Sequence, residues 1–160
     1  MTPRLKLRRT SLRRLGRALG GAALPGDVIA LVGTLGAGKT LLSQAIALGA
    51  GVSPTARVTS PTFAVVIEHP GRVTVHHADL YRLGSADELA EIGLVERAAS
   101  GLLLVEWADR MPEALPGDAL WLTLTVSAPG ERALAVEATG PRSGALRAVV
   151  DAWAEARARR

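Results

Sequence analysis

The chain has 160 residues, 48% apolar and 21% charged, with aromatics at only 3%; this length and composition suit one folded domain that needs no disulfide or structural metal. No cysteine occurs, which excludes disulfides, thiolate catalysis and Cys-ligated zinc, and His69, His76 and His77 lack the i, i+4 spacing of a helical zinc pair. The formal charge of +4 is a property of one end, because Lys6 and six arginines precede Gly20, whereas beyond residue 20 there are 12 basic and 15 acidic residues.

No apolar run approaches the ~20 residues that span a membrane. The first seventeen residues, dotted with arginine, make no secretory apolar segment. A cytoplasmic protein with no membrane partner is therefore expected. The basic end admits three readings. It is an electrostatic footprint for RNA or an acidic partner, an Arg-rich transit segment, or the solvated face of a helix. Leu12, Leu15, Ala18 and Leu19 recur at helical spacing opposite the arginines, which favours the plain helix.

In chain order, a helix is expected from Ser11 to about Gly20, so that residues 1–20 form a basic N-terminal helix. Val28-Ile29-Ala30-Leu31-Val32 follows a Pro-Gly turn and reads as a fully buried strand. A glycine-rich loop comes next, then a helix through Leu41, Leu42, Ala45 and Ile46 that Gly49 or Gly51 can end. Phe63–Glu68 and Val73–His77 flank His69-Pro70-Gly71-Arg72 and predict an antiparallel hairpin. Ser85 with Glu88 three residues on is a capping box, so a helix runs from Ser85 to Ile92. Leu102–Val105 is a second buried strand ended by Glu106-Trp107. Trp121–Val126 and Arg132–Ala138 read as another hairpin, and a closing helix runs from Gly144 to about Arg157, within residues 139–160. The whole predicts one α/β domain over residues 1–160, a mixed β-sheet flanked by helices.

Gly33-Thr34-Leu35-Gly36-Ala37-Gly38-Lys39-Thr40 fits the phosphate-binding pattern G-x-x-x-x-G-K-[ST], between a buried strand and an amphipathic helix. The glycines let the backbone wrap a polyphosphate, and the loop N–H groups with the helix N-terminus point at the anion. Gly33, Leu35, Gly36, Ala37, Gly38, Lys39, Thr40 and Leu41 are the candidate nucleotide-binding residues. Lys39 would reach the β- and γ-phosphates, and the Thr40 hydroxyl would ligate Mg²⁺. Lys39 is one of two lysines in a chain of 17 arginines; a compact ammonium fits such a loop where a guanidinium fork does not.

A phosphate loop needs an acid at the end of a neighbouring strand to hold Mg²⁺, and Glu106 stands there. A surface glutamate at a strand end is the plainer alternative. Asp79 lies two residues after His77 on the same strand face. It either orients the attacking water, or a metal-bound water, with His77 behind it, or it caps a turn. Thr59-Ser60-Pro61-Thr62-Phe63 is placed like a nucleotide switch that brings a threonine to the metal, and also reads as a hydroxyl-rich turn. Trp107 reads as core.

Together these residues resemble the TsaE (YjeE) family, the bacterial P-loop ATPases of tRNA threonylcarbamoyladenosine synthesis. The resemblance is carried in order by Gly33–Thr40, Ser60–Phe63, His77–Leu83, Glu88–Glu91, Ile92-Gly93, Glu106-Trp107 and Leu115-Pro116. It covers about residues 10 to 138, and residues 139–160 carry no family signal. The family usually has aspartate where this chain has Thr34. That side chain lies off the phosphate contacts, so binding is expected to survive the change. The resemblance implies ATP and Mg²⁺ as ligands, Thr40 and Glu106 at the metal, and Lys39, Asp79 and Glu106 as the residues of turnover. It also implies Arg132, Arg9 and Thr10 near the nucleotide. It implies TsaD and TsaB as partners, which attach threonylcarbamoyl to a tRNA adenosine next to the anticodon. Contact with tRNA would be indirect, through a complex that ATP hydrolysis resets.

A small P-loop kinase shares the loop and the size, but its Arg-rich lid would be a mid-chain insertion, and the arginines here concentrate before the loop. A GTPase would need Asn-Lys-x-Asp and Asp-x-x-Gly; the chain has no asparagine and no Asp-x-x-Gly. A nucleic-acid-binding protein with a vestigial loop is a third alternative, through the basic end.

Overall fold

A computed structural model describes residues 4–58, 66–81 and 85–160. Among the described residues seven strands form one sheet: β1 (Arg4–Arg8), β2 (Val28–Gly33), β3 (Val66–His69), β4 (Val75–Asp79), β5 (Leu102–Glu106), β6 (Leu120–Ala128) and β7 (Glu131–Ala138), in the spatial order β1-β7-β6-β2-β5-β4-β3. The central strands β6, β2, β5 and β4 run parallel. The antiparallel strand β3 closes one edge, and antiparallel β7 and β1 close the other. The helices are α1 (Arg9–Ala22), α2 (Lys39–Gly49), α3 (Ala86–Ile92), α4 (Leu94–Ser100) and α5 (Pro141–Ala158). The expected mixed sheet with flanking helices is what the chain forms.

The parallel strands are apolar on both faces because helices cover both. Ile29, Leu31, Leu102 and Leu104 join the core under α1, α2 and α5. Their neighbours Val28, Ala30, Leu103 and Val105 join a second core with Leu89 of α3 and Leu94 and Ala98 of α4. The strand period of two thus divides each β2 and β5 run between two cores.

Helices α1 and α2 meet backbone to backbone. A methyl group on Gly20 would collide with the Ile46 carbonyl oxygen, and one on Gly49 with that of Arg17. This approach sets Leu12, near the start of α1, against Gly38 of the loop that opens α2.

Several boundaries differ from the sequence expectation. The first residues are not all helix, because Arg4–Arg8 pairs with β7 as an edge strand and α1 starts at Arg9. The Arg-Leu-Lys-Leu-Arg alternation buries Leu7 and exposes its charged neighbours, a strand pattern hidden by the charge run. Helix α5 starts at Pro141 rather than Gly144. Helix α4, after the left-handed Gly93, was not expected from the sequence. The Ser85 cap is present, its hydroxyl accepting from the Glu88 N–H at 3.2 Å. Thr59–Val65, with the first half of the expected Phe63–Glu68 strand, and Arg82–Gly84 lie outside the described residues. Among the described residues no helix is long and apolar enough to cross a membrane.

Candidate nucleotide and metal site

The loop from Gly33 to Thr40 leaves the carboxyl end of β2 and enters α2. This is the end of an open parallel sheet where ligands bind. Gly36 and Gly38 take φ of 77° and 111°, values costly for any residue with a Cβ. Ala37 between them is buried, while Leu35 at the tip is 82% exposed. Leu41 is half-buried against the first core. Arg132 of β7 braces the loop from outside, donating from Nε to the Ala37 carbonyl at 2.9 Å and from Nη2 to the Gly36 carbonyl at 3.2 Å.

Lys39 is 5% exposed. Its ammonium donates to the carbonyls of Gly33 at 2.5 Å and Thr34 at 2.8 Å, and lies 4.1 Å from the centre of the Trp107 ring. Burial pushes its pKa below the usual lysine value, while the nearby carboxylates of Glu106, Asp109 and Asp79 pull it back up. Trp107 is the one non-glycine among the described residues with a left-handed backbone, φ 56°. That turn ends β5 and places the ring between Lys39 and Tyr81, whose ring centre is 4.8 Å away. Such a conformation costs about 1–3 kcal/mol and persists where the surroundings over-determine it.

Glu106 ends β5 almost fully buried, at 1% exposure. Its Oε1 accepts from the Thr40 hydroxyl at 3.0 Å, and its Oε2 from the Ser43 hydroxyl at 3.3 Å. His77 Nε2, on the neighbouring strand β4, meets Oε2 at 2.5 Å. The carboxylate is thereby fixed, with one oxygen turned to the start of α2. Asp79 pairs in register with Glu106 on β4, so both project from one face. Its Oδ1 accepts from the Tyr81 N–H at 2.9 Å, so the turn-capping contact is present beside the expected site position.

The residues fit the ligands the loop pattern implies. A hydroxyl and one carboxylate are hard oxygen donors, a set suited to Mg²⁺, which takes one or two carboxylates plus phosphate oxygens and keeps several waters. The loop N–H groups at the N-terminus of α2, with Lys39 beside them, suit a polyphosphate.

The family pattern described as "Threonylcarbamoyl adenosine biosynthesis protein TsaE" matches residues 8–134. The chain belongs to the TsaE family. It is 36% identical over 124 residues to the tRNA threonylcarbamoyladenosine biosynthesis protein TsaE of Treponema pallidum, covering 77% of this chain and 90% of that one. It is 39% identical over 122 residues to TsaE of Bacillus subtilis, covering 75% of each. With TsaE of Streptomyces coelicolor it shares 34% over 149 residues, 91% of this chain and 95% of that one. The crystal structure of Bacillus subtilis YdiB superposes with a TM-score of 0.70 at 27% identity over 97% of both chains.

Of the residues expected at the site, Gly33, Gly36, Ala37, Gly38, Lys39, Thr40, Arg132, Glu106 and Asp79 converge at this end of the sheet. Arg9 and Thr10 are the first two residues of α1, both exposed. The preceding Leu7 and Arg8 pair with Arg132 and Glu131, which sets the start of α1 on the loop side of the sheet. Three contacts were not legible in the sequence. Ser43 is one turn along α2 from Lys39 on the same face, and only the fold shows that this face meets Glu106. Asp109 acts on Lys39 through a turn after β5. Trp107 packs on the second core as expected, but it also covers the ammonium.

Proposed function

We propose that this chain binds Mg²⁺ and ATP at the Gly33–Thr40 loop and hydrolyses ATP slowly. In this reading it is the ATPase component of tRNA threonylcarbamoyladenosine biosynthesis, acts with TsaB and TsaD, and resets their complex between rounds of threonylcarbamoyl transfer. The observation that carries it is the Thr40–Glu106 contact, made between α2 and the end of the next parallel strand and backed by His77. The relatives' names supply the pathway, and a cytoplasmic location goes with it.

The residues divide the work. Backbone donors from Gly36 to Thr40 and the Lys39 ammonium would bind the phosphates. Thr40 and Glu106 would hold Mg²⁺, which when bound neutralises phosphate charge. Asp79, one strand across from Glu106, is placed to orient a water. Arg132 keeps the loop backbone in its binding shape by occupying two of its carbonyls. Phosphoryl transfer asks for little beyond positioning and charge stabilisation, and these groups provide both.

The test is phosphate release from ATP by the purified chain with Mg²⁺ and with a chelator. It is paired with assay of threonylcarbamoyladenosine on tRNA by TsaB and TsaD, with and without this chain. The expected result is slow, Mg²⁺-dependent release of inorganic phosphate and sustained modification only when the chain is present. Phosphate found on an added metabolite instead would make the chain a kinase.

A further inference from the structure

Away from the loop, helices α1 and α5 enclose a groove of about 370 Å³ lined by Ser11, Arg14, Trp153, Ala156, Arg157 and Arg160. Trp153, Ala156 and Arg157 fall at i, i+3 and i+4, one face of α5, and Arg160 follows just past its C-terminal end. The acids of that helix segment, Asp151 and Glu155, fall on the opposite face, where Glu155 pairs with Arg159 at 3.6 Å. The other wall has no acid, because none precedes Asp27 in the chain. Arg13 and Arg17 are exposed beside Arg14 and continue the positive surface along α1. Among the described residues no carboxylate pairs with Arg13, Arg14, Arg17 or Arg160, whereas Arg142 elsewhere is paired with Asp27. Arg157 donates to the Lys6 carbonyl and lies 5.8 Å from the centre of the half-buried Trp153 ring.

We infer that this groove and the adjoining arginine face of α1 bind RNA through its phosphate backbone. A cluster of guanidinium groups with no paired carboxylate suits a polyanion, and binding releases the counterions condensed on it. An aromatic ring set among arginines gives an unstacked base a flat surface to lie against. A lipid surface fits less well, because Leu12, Leu15 and Leu19 of α1 are all buried and no apolar side of the helix is left to enter a bilayer. The groove lies mainly beyond residues 8–134 matched by the family pattern, since α5 follows them. It gives the chain its own contact with RNA, whereas the proposed function makes that contact indirect. The inference does not rest on hydrolysis.

The probe is a fluorescently labelled tRNA transcript, titrated with the full chain from about 50 to about 300 mM salt. The logarithm of the affinity should fall linearly with that of the salt concentration. The triple variant Arg14→Ala, Arg157→Ala, Arg160→Ala should lose more than about tenfold at low salt and flatten the slope by about two to three. Lysine at the same three positions should keep affinity within about threefold, because backbone neutralisation needs charge more than a fork. ATP binding should be unchanged in all, which separates this result from failure of the ATPase reading. Should the triple variant unfold, Arg14→Gln with Arg160→Gln, which removes no backbone contact, must still flatten the slope. Three results would overturn the inference: no binding by the wild type, equal binding by the neutralised variant, or equal affinity for a poly-glutamate peptide, which would make the face a dock for an acidic protein.

Discussion

Thr40 and Glu106, 66 positions apart in the chain, are joined by a 3.0 Å hydrogen bond between the first turn of α2 and the last residue of β5. Glu106 in turn is held from behind by His77 and Ser43. If Mg²⁺ is held here, Glu106→Gln should lower Mg²⁺-dependent hydrolysis by about 100-fold or more, the scale seen when one charge-stabilising group is removed. Nucleotide binding without metal should stay near wild type, because the backbone donors remain. His77→Gln should raise the Mg²⁺ concentration needed for half-maximal rate by about tenfold, as loss of a supporting contact does. Rates measured against Mg²⁺ concentration check both, and a Glu106→Gln enzyme with normal Mg²⁺ dependence would remove the metal role.

Lys39 contributes differently. Its ammonium is buried against loop carbonyls and the Trp107 ring, beside the position proposed for phosphate. Lys39→Ala should weaken ATP binding by about 10- to 100-fold, the range of one or two charge-assisted hydrogen bonds. Calorimetric titration with ATP and ADP measures this. Affinity equal to wild type for both nucleotides would mean that phosphate binds elsewhere.

Arg132 is a positioning residue in this geometry. Its guanidinium spans two loop carbonyls, so a point charge cannot replace it. Arg132→Lys and Arg132→Ala should therefore raise KM for ATP by similar factors, about tenfold, with a smaller change in kcat. A full rescue by lysine would show that charge, and not loop bracing, is what matters.

The sequence disclosed the centre of this site more fully than its surroundings. Gly33–Thr40 is a contiguous motif whose chemistry needs no fold to be read, and Glu106 followed from an apolar run ending in an acid. Ser43 and Asp109 could not be read, because their roles depend on which helix face and which turn come near Glu106 and Lys39. The edge strand Arg4–Arg8 was concealed by its charges, although Leu5 and Leu7 alternate with them. The cap of α5 was equally hidden, since Asp118 lies 24 residues before the Arg142 N–H that it accepts.

That cap gives a pH prediction. Asp118 Oδ2 accepts from the Arg142 N–H at 2.8 Å and Oδ1 from the Ser143 N–H at 3.0 Å, and a methyl group on Gly140 would collide with the carboxyl. Burial pushes the Asp118 pKa up, but the hydrogen bonds from Ser143 and Arg142 and the Arg142 charge outweigh it and hold the group below its ordinary 3.8. The folded state thus favours the carboxylate. Its contribution is present in full above pH 3.8 and is lost as pH falls below that through the folded value. Asp118→Ala should cost about 1 kcal/mol at pH 7 and much less in strong acid, read as a converging difference in melting temperature. Gly140→Ala should destabilise by displacing the same carboxylate.

The final prediction concerns turnover. The chain's own groups near the loop would supply a cradle, a metal pair and a water-orienting candidate, but two arginines beside the site are already engaged. Arg132 is tied to the carbonyls of Gly36, Ala37 and Glu131, and Arg110 lies over the Tyr81 ring at 5.9 Å. A cation brought to the transferring phosphoryl group by another chain is worth about 10³–10⁵ in rate in well-studied cases. The isolated chain should therefore hydrolyse ATP slowly, and TsaB with TsaD from the same source should accelerate it. Because the gain would come from positioning in the transition state, kcat should rise more than KM falls. Steady-state rates with and without the two partners decide the matter. Fast turnover by the chain alone, indifferent to both, would mean that the site is complete in itself.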